Sequence, residues 1–119
     1  MAKWIENIGE SNARSVTVGF LDANGDASIP STVHWRLVCP DDDDSVVTDW
    51  ATATPVTSVG PDGYSTVCEA TIAVIASSHE MVTTLDKEKR ALIVSADKDT
   101  DDEWNEEFLY YVERRSGRS

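Results

Sequence analysis

Apolar and polar residues alternate with a period of two along five stretches of the chain: Ser15 to Leu21, Thr32 to Cys39, Ser65 to Ile75, Arg90 to Ala96 and Glu107 to Val112. Successive side chains of an extended backbone point to opposite faces, so each stretch predicts a half-buried strand. The inward sets are Val16, Val18 and Phe20; Val33, Trp35 and Leu37; Cys68, Ala70, Ile72 and Val74; Leu92 and Val94; and Phe108, Tyr110 and Val112. Trp35 is the expected central aromatic of the core. Val46, Val47 and Trp50 suggest a further short strand, and Val56 a brief edge strand beside Pro55. Turn chemistry separates the runs at Asp22 to Asp26, at Pro40 with the acidic run Asp41 to Asp44, and at Gly60-Pro61-Asp62-Gly63.

Six or seven short strands in about 100 residues predict an all-β immunoglobulin-like sandwich of antiparallel strands, with a small jelly roll as the alternative. Residues 13–113 would form this domain. Residues 1–12, with the apolar cluster Trp4, Ile5 and Ile8, read as an N-terminal arm that covers its own sandwich or reaches a neighbouring subunit. Residues 114–119 read as a flexible tail. Between Ser77 and Lys89 the alternation lapses, and Asp86 to Arg90 reads as a charged approach to the next strand.

Charge narrows the function classes. Ten Lys and Arg face 22 Asp and Glu, a formal net charge of −12, which repels phosphate backbones and argues against nucleic-acid binding. No apolar run approaches the roughly 20 residues of a membrane span, and Met1 to Glu10 carries Glu6 and Glu10 where a secretory signal needs an apolar segment. A cytosolic site of assembly is therefore expected. Cys39 and Cys68 lack zinc-ligand spacing and, in that compartment, read as free buried thiols.

The chemistry-bearing residues form no catalytic set. His34 falls on an outward strand position and His79 in the aperiodic segment, neither beside a nucleophile. Asp22 to Asp26 superficially matches the start of a calcium loop but lacks the flanking helices and terminal bidentate Glu, so an Asn-Gly turn is the better reading. Asp41 to Asp44 and Asp97 to Glu107 carry enough carboxylates to ligate a hard cation, yet such runs are ordinarily solvated loops. No enzyme activity, cofactor or metal is expected. Trp4, Ile5, Ile8, Trp50 and Trp104, in the arm or near strand ends, are the interface candidates.

Several segments in order along the chain resemble the small virion proteins of tailed bacteriophages and prophages. They are Phe20 to Asp26, Ile29-Pro30-Ser31-Thr32-Val33-His34-Trp35-Arg36-Leu37, Val46 to Trp50, Lys89 to Asp97 and Thr100 to Val112. The resemblance implies a non-enzymatic virion component with an immunoglobulin-like sandwich, assembled in the host cytoplasm. Its partners would be other virion proteins, the major capsid protein or neck and tail subunits, in a homo-oligomer or on a lattice. A capsid decoration or cement subunit is the first expectation, a neck or tail accessory the second, and a host-adhesion or carbohydrate-binding module the third.

Overall fold

A computed structural model describes residues 2–21, 26–97 and 103–114. The chain is all-β, and its strands fall into two sheets. In chain order they are β1 (Ala2–Trp4), β2 (Ile8–Gly9), β3 (Arg14–Gly19), β4 (Val33–Cys39), β5 (Ser45–Ala53), β6 (Val56–Val59), β7 (Thr66–Val74), β8 (Lys87–Ala96) and β9 (Trp104–Glu113). The larger sheet runs β1-β9-β8-β4-β5, with β2 continuing the β1 edge along β9; the smaller runs β3-β7-β6. Short 3-10 turns occupy Pro40–Asp42 and Ala76–His79.

One core joins the inner faces of both sheets. Val16, Val18, Ala70, Ile72 and Val74 from the smaller sheet meet Val33, Trp35, Leu37, Leu92, Val94, Phe108, Tyr110 and Val112 from the larger. These are the alternate residues that the period-two pattern selects, and Trp35 lies among them.

The differences from expectation have local causes. Nine strands form among the described residues, and the larger sheet is mixed rather than wholly antiparallel, because β1 and β2 lie parallel to β9. Residues 2–9, read as an arm, are thus its edge strand. Ile5 N–H continues the ladder to Leu109 O at 2.9 Å, and Asn7 bridges the gap before β2 by accepting from Tyr111 N–H at 3.2 Å and donating to the Glu113 carboxylate at 3.1 Å. Ile5 and Ile8 pack against the core of their own chain.

β5 is longer than Val46 to Trp50 suggested. Register shifts between Trp35 and Val38 break its pairing with β4, and a bulge erases alternation in the sequence while preserving the strand. β8 starts at Lys87, three residues before the expected Arg90, because Glu88 as well as Arg90 takes a buried, inward position of the strand. Most of the Asp22 to Asp26 turn, the middle of the Asp97 to Glu107 loop and residues 115–119 of the expected tail lie outside the described residues.

Carboxylates end several elements. Pro40 turns β4 away from β8, and the Asp41 side chain takes the vacated Lys89 N–H at 2.8 Å. Asp97, in the left-handed region at φ 52°, accepts from the N–H of Ser31 at 2.7 Å and Thr32 at 3.2 Å. In the hairpin between β6 and β7, Asp62 accepts from Ser65 Oγ and from the N–H of Ser65 and Tyr64, which holds its carboxyl down at about 2. Gly63 there adopts φ 80°, open to glycine at little cost.

Because residues 2–9 complete an edge and bring two isoleucines to the core, deleting them should cost the isolated protein about 2 kcal/mol or more. The expected reading is a Tm lower by roughly 8 °C or more in a thermal melt.

Candidate functional site

The interior contains an ionised pair. Glu88 and Arg90 occupy alternate inward positions at the start of β8, in the same column as Leu92 and Val94, and both side chains are 0 % exposed. Arg90 Nη1 donates to Glu88 Oε1 at 2.5 Å and to Cys39 Sγ at 3.2 Å, while Nη2 donates to Glu80 O at 2.9 Å. The second Glu88 oxygen accepts from Val82 N–H at 3.1 Å and Thr83 N–H at 2.7 Å. A buried charge persists only when its partners replace water, and here a segment without regular pairing supplies most of them, leaving Arg90 Nε with no hydrogen-bond partner among the described residues. Burial pushes the Glu88 carboxyl up, but the Thr83 hydroxyl, the Arg90 guanidinium and the two backbone N–H groups outweigh it, to about 2. Burial raises the Cys39 thiol, and nearby Arg90 only partly opposes that, so the sulfur stays a protonated acceptor.

Residues 76–86 form a strap over this end of the fold. His79 is fully buried in it. Its Nδ1 lies 2.5 Å from Asn12 O, and since a carbonyl only accepts, Nδ1 carries the proton and Nε2 receives the Tyr110 hydroxyl at 2.7 Å. Desolvation first, then the charges of Arg90 and Arg14, lower the His79 pKa against the opposing Asn12 contact, which keeps the ring neutral. Tyr110 is pushed up to about 12 by its own burial. Ser11 N–H reaches His79 O at 3.1 Å, Ser78 and Thr48 hydroxyls pair at 3.2 Å, and Arg114 donates to Thr83 O at 2.6 Å and Leu85 O at 3.0 Å. The strap therefore ties the N-terminal segment, β5, β8 and the end of β9 together.

The five interface candidates are not brought to one place. Ile5 and Ile8 pack on the core, and Trp104 packs against it with its ring edge-on to Phe20 at 5.6 Å. Trp4 and Trp50 lie on the larger sheet's outer face. Trp4, 55 % exposed, stacks on Tyr111 at 5.4 Å, with Lys89 Nζ 5.6 Å from its ring and Lys87 Nζ 4.6 Å from that of Tyr111. Trp50, 39 % exposed, carries the Arg36 guanidinium 5.8 Å from its ring, and Asp49 lies 3.6 Å from Arg36 Nε. Sequence reading missed Tyr111, Lys87 and Lys89 as neighbours of Trp4. Their odd-numbered positions on one outer face were the available signal, but the parallel placement of β1 that joins them was not.

A half-open cleft of about 360 Å³ separates the β1 and β9 side of the larger sheet from β3. Val18, Phe20 and Phe108 give it apolar walls, and Lys3 crosses it to Glu106 at 3.0 Å. Among the described residues no group of three or more His, Cys, Asp or Glu is placed to hold a metal ion, and no helix is long and apolar enough to cross a membrane. Cys39 and Cys68 are buried and unlinked. Compared with protein-family models, curated proteins and solved structures, the chain matches none of them.

Arg90→Met leaves the Glu88 carboxylate without its cation and should cost about 3–5 kcal/mol in urea unfolding, whereas the double variant E88L/R90M should cost less than the two single changes added together. For pH, both His79 and Glu88 titrate lower in the folded than in the unfolded chain. The unfolded state binds protons first as pH falls, so stability is lost below about 6.5 through His79 and again between about 4.5 and 2 through Glu88. His79→Gln should flatten the upper limb and Glu88→Gln the lower one when stability is measured against pH.

Proposed function

We propose that the chain is a non-enzymatic structural protein of a bacteriophage virion, a capsid decoration or cement subunit built on an immunoglobulin-like sandwich. With β3 to β9 taken as strands B, C, C′, D, E, F and G, the sheets read C′-C-F-G and D-E-B, with the N-terminal strand beside G. That order is the support for the immunoglobulin-like arrangement. Trp35 then occupies a core position on strand C, while the two cysteines fall on C and E, away from the B and F positions of an antibody disulfide.

One observation carries the functional reading. Buried Glu88, Arg90, His79 and Tyr110 are engaged in holding the strap, while large aromatic and cationic side chains are left on the outer face of the larger sheet. A fold arranged in this way offers a surface to a partner. The resemblance to virion proteins adds the kind of partner. Three of its segments reach β4, β8 and β9, the middle strands of that sheet.

Quantitative mass spectrometry of purified particles tests the proposal. Hundreds of copies per virion are expected for a decoration subunit; about a dozen or fewer would move the chain to a neck or tail ring of closed symmetry. Absence from purified particles would overturn the virion reading.

A further inference from the structure

β3 forms one edge of the smaller sheet, and its ladder to β7 fixes which backbone groups face outward. Phe20 N–H donates to Cys68 O at 2.8 Å, and the register pairs Val18 with Ala70 and Val16 with Ile72, so the even-numbered residues bond β7. The N–H and C=O of Ser15, Thr17 and Gly19 therefore point to the open side, and all three residues are exposed. Open strand edges are normally guarded by charge, proline, bulges or brevity. Residues 2–9 include Lys3 and Glu6, β5 carries Asp49 and opposes register shifts, and β6 is four residues long and follows Pro55. From Ser15 to Gly19 there is no charge, no proline and no break in register, in a chain that is 27 % charged.

The same edge borders the cleft of about 360 Å³, which Thr17 and Gly19 line on one side and Lys3, Glu106 and Phe108 on the other. A strand laid beside β3 would turn every second side chain into that cleft, against Val18, Phe20 and Phe108, and the rest toward solvent. The charges around the edge favour a cationic strand. Lys3 and Glu106 neutralise each other at 3.0 Å, and the Arg14 guanidinium is committed to Glu6 O and to the Tyr110 ring. Glu69 remains. It lies opposite Gly19 on the outer face of the smaller sheet, with Val56 on its other side, and makes no ion pair among the described residues. A Cβ at Gly19 would meet no atom within 4 Å, so the lane from the open edge to that carboxylate is clear.

We propose that the β3 edge takes an extended, basic segment of another protein as a fourth strand of the smaller sheet, with apolar side chains facing the cleft and a lysine or arginine at the outward position beside Gly19. The outward groups of Ser15, Thr17 and Gly19 bond its backbone, and Glu69 receives its cation across Gly19. Two strand spacings, about 10 Å, separate that position from Glu69, a gap that a long cationic side chain and a glutamate close between them. The net charge of −12 draws in a basic segment and opposes a second copy of this chain at the same edge. The site lies on the smaller sheet, away from the aromatic face of the larger one, and does not rest on the virion reading.

Amide NMR titration of the full chain at moderate salt tests it, the probe being a synthetic peptide of about seven residues that alternates lysine and valine. Saturable shifts are expected at Ser15, Thr17 and Gly19 and around the cleft, with a dissociation constant between about 1 µM and 1 mM. Thr17→Pro removes an outward N–H that gives nothing to the β7 ladder, and should weaken binding at least about tenfold. The same peptide methylated on two adjacent central amide nitrogens keeps its charge and should lose as much, which decides the matter should the proline variant fail to fold. Glu69→Gln should weaken the lysine peptide roughly threefold, and a peptide alternating glutamate and valine should not bind. Shifts scattered over acidic residues away from β3, undiminished binding by the methylated peptide or by a folded T17P, an E69Q variant without effect, or equal binding of the acidic peptide overturns the proposal. So do concentration-dependent shifts at Ser15 to Gly19 with no peptide present, which would seat a second copy there.

Discussion

Burying Glu88 and Arg90 together imposes the condition around which one end of this fold is arranged. Two opposite charges at alternate positions of one strand neutralise each other, yet each retains lone pairs or protons that a hydrocarbon core cannot satisfy. Backbone has to be brought in to meet them. Residues 76–86 do so, giving amides to the carboxylate and a carbonyl to the guanidinium, and in taking that path they set His79 beneath Asn12 and against Tyr110. The end of the molecule is closed by polar groups that have lost their water and, Arg90 Nε apart, replaced it with each other. Removing one member therefore disturbs a loop, a strand and the N-terminal segment together.

This arrangement separates two kinds of surface. The interior end is polar, dry and occupied, whereas the outer face of the larger sheet keeps two tryptophans in partial contact with solvent, each beside cations. In a chain of net charge −12, that face interleaves Lys87, Lys89 and Arg36 with carboxylates, Glu113 opposite Lys87 and Asp49 3.6 Å from Arg36.

The sequence made the apolar half of the structure legible and obscured the polar half. Alternation identified β3, β4, β7, β8 and β9 and nearly the whole core, because burial selects every second residue and composition records it directly. Glu88 and Arg90 obey the same alternation, but a charge at an inward position looks like a solvated one until its partners are known, and those partners are backbone amides with no signature in the sequence. His79 was hidden for the same reason, its partners lying at Asn12 and Tyr110, far away in the chain. Of the interface candidates, Trp4 and Trp50 are exposed, whereas Ile5, Ile8 and Trp104, which resemble them in sequence, pack on the core because the N-terminal edge and β9 deliver them there.

The first and last strands run side by side in the same direction, so the chain enters the larger sheet at one end and leaves it at the other. Tension applied between residues 2 and 114 would run along these strands and load their shared hydrogen bonds in shear, all at once, instead of peeling them apart one by one. An antiparallel pairing of the same two strands would open like a zipper. The parallel edge thus gives the protein a direction of mechanical strength that its equilibrium stability does not reveal, since rupture under load is governed by the unfolding barrier.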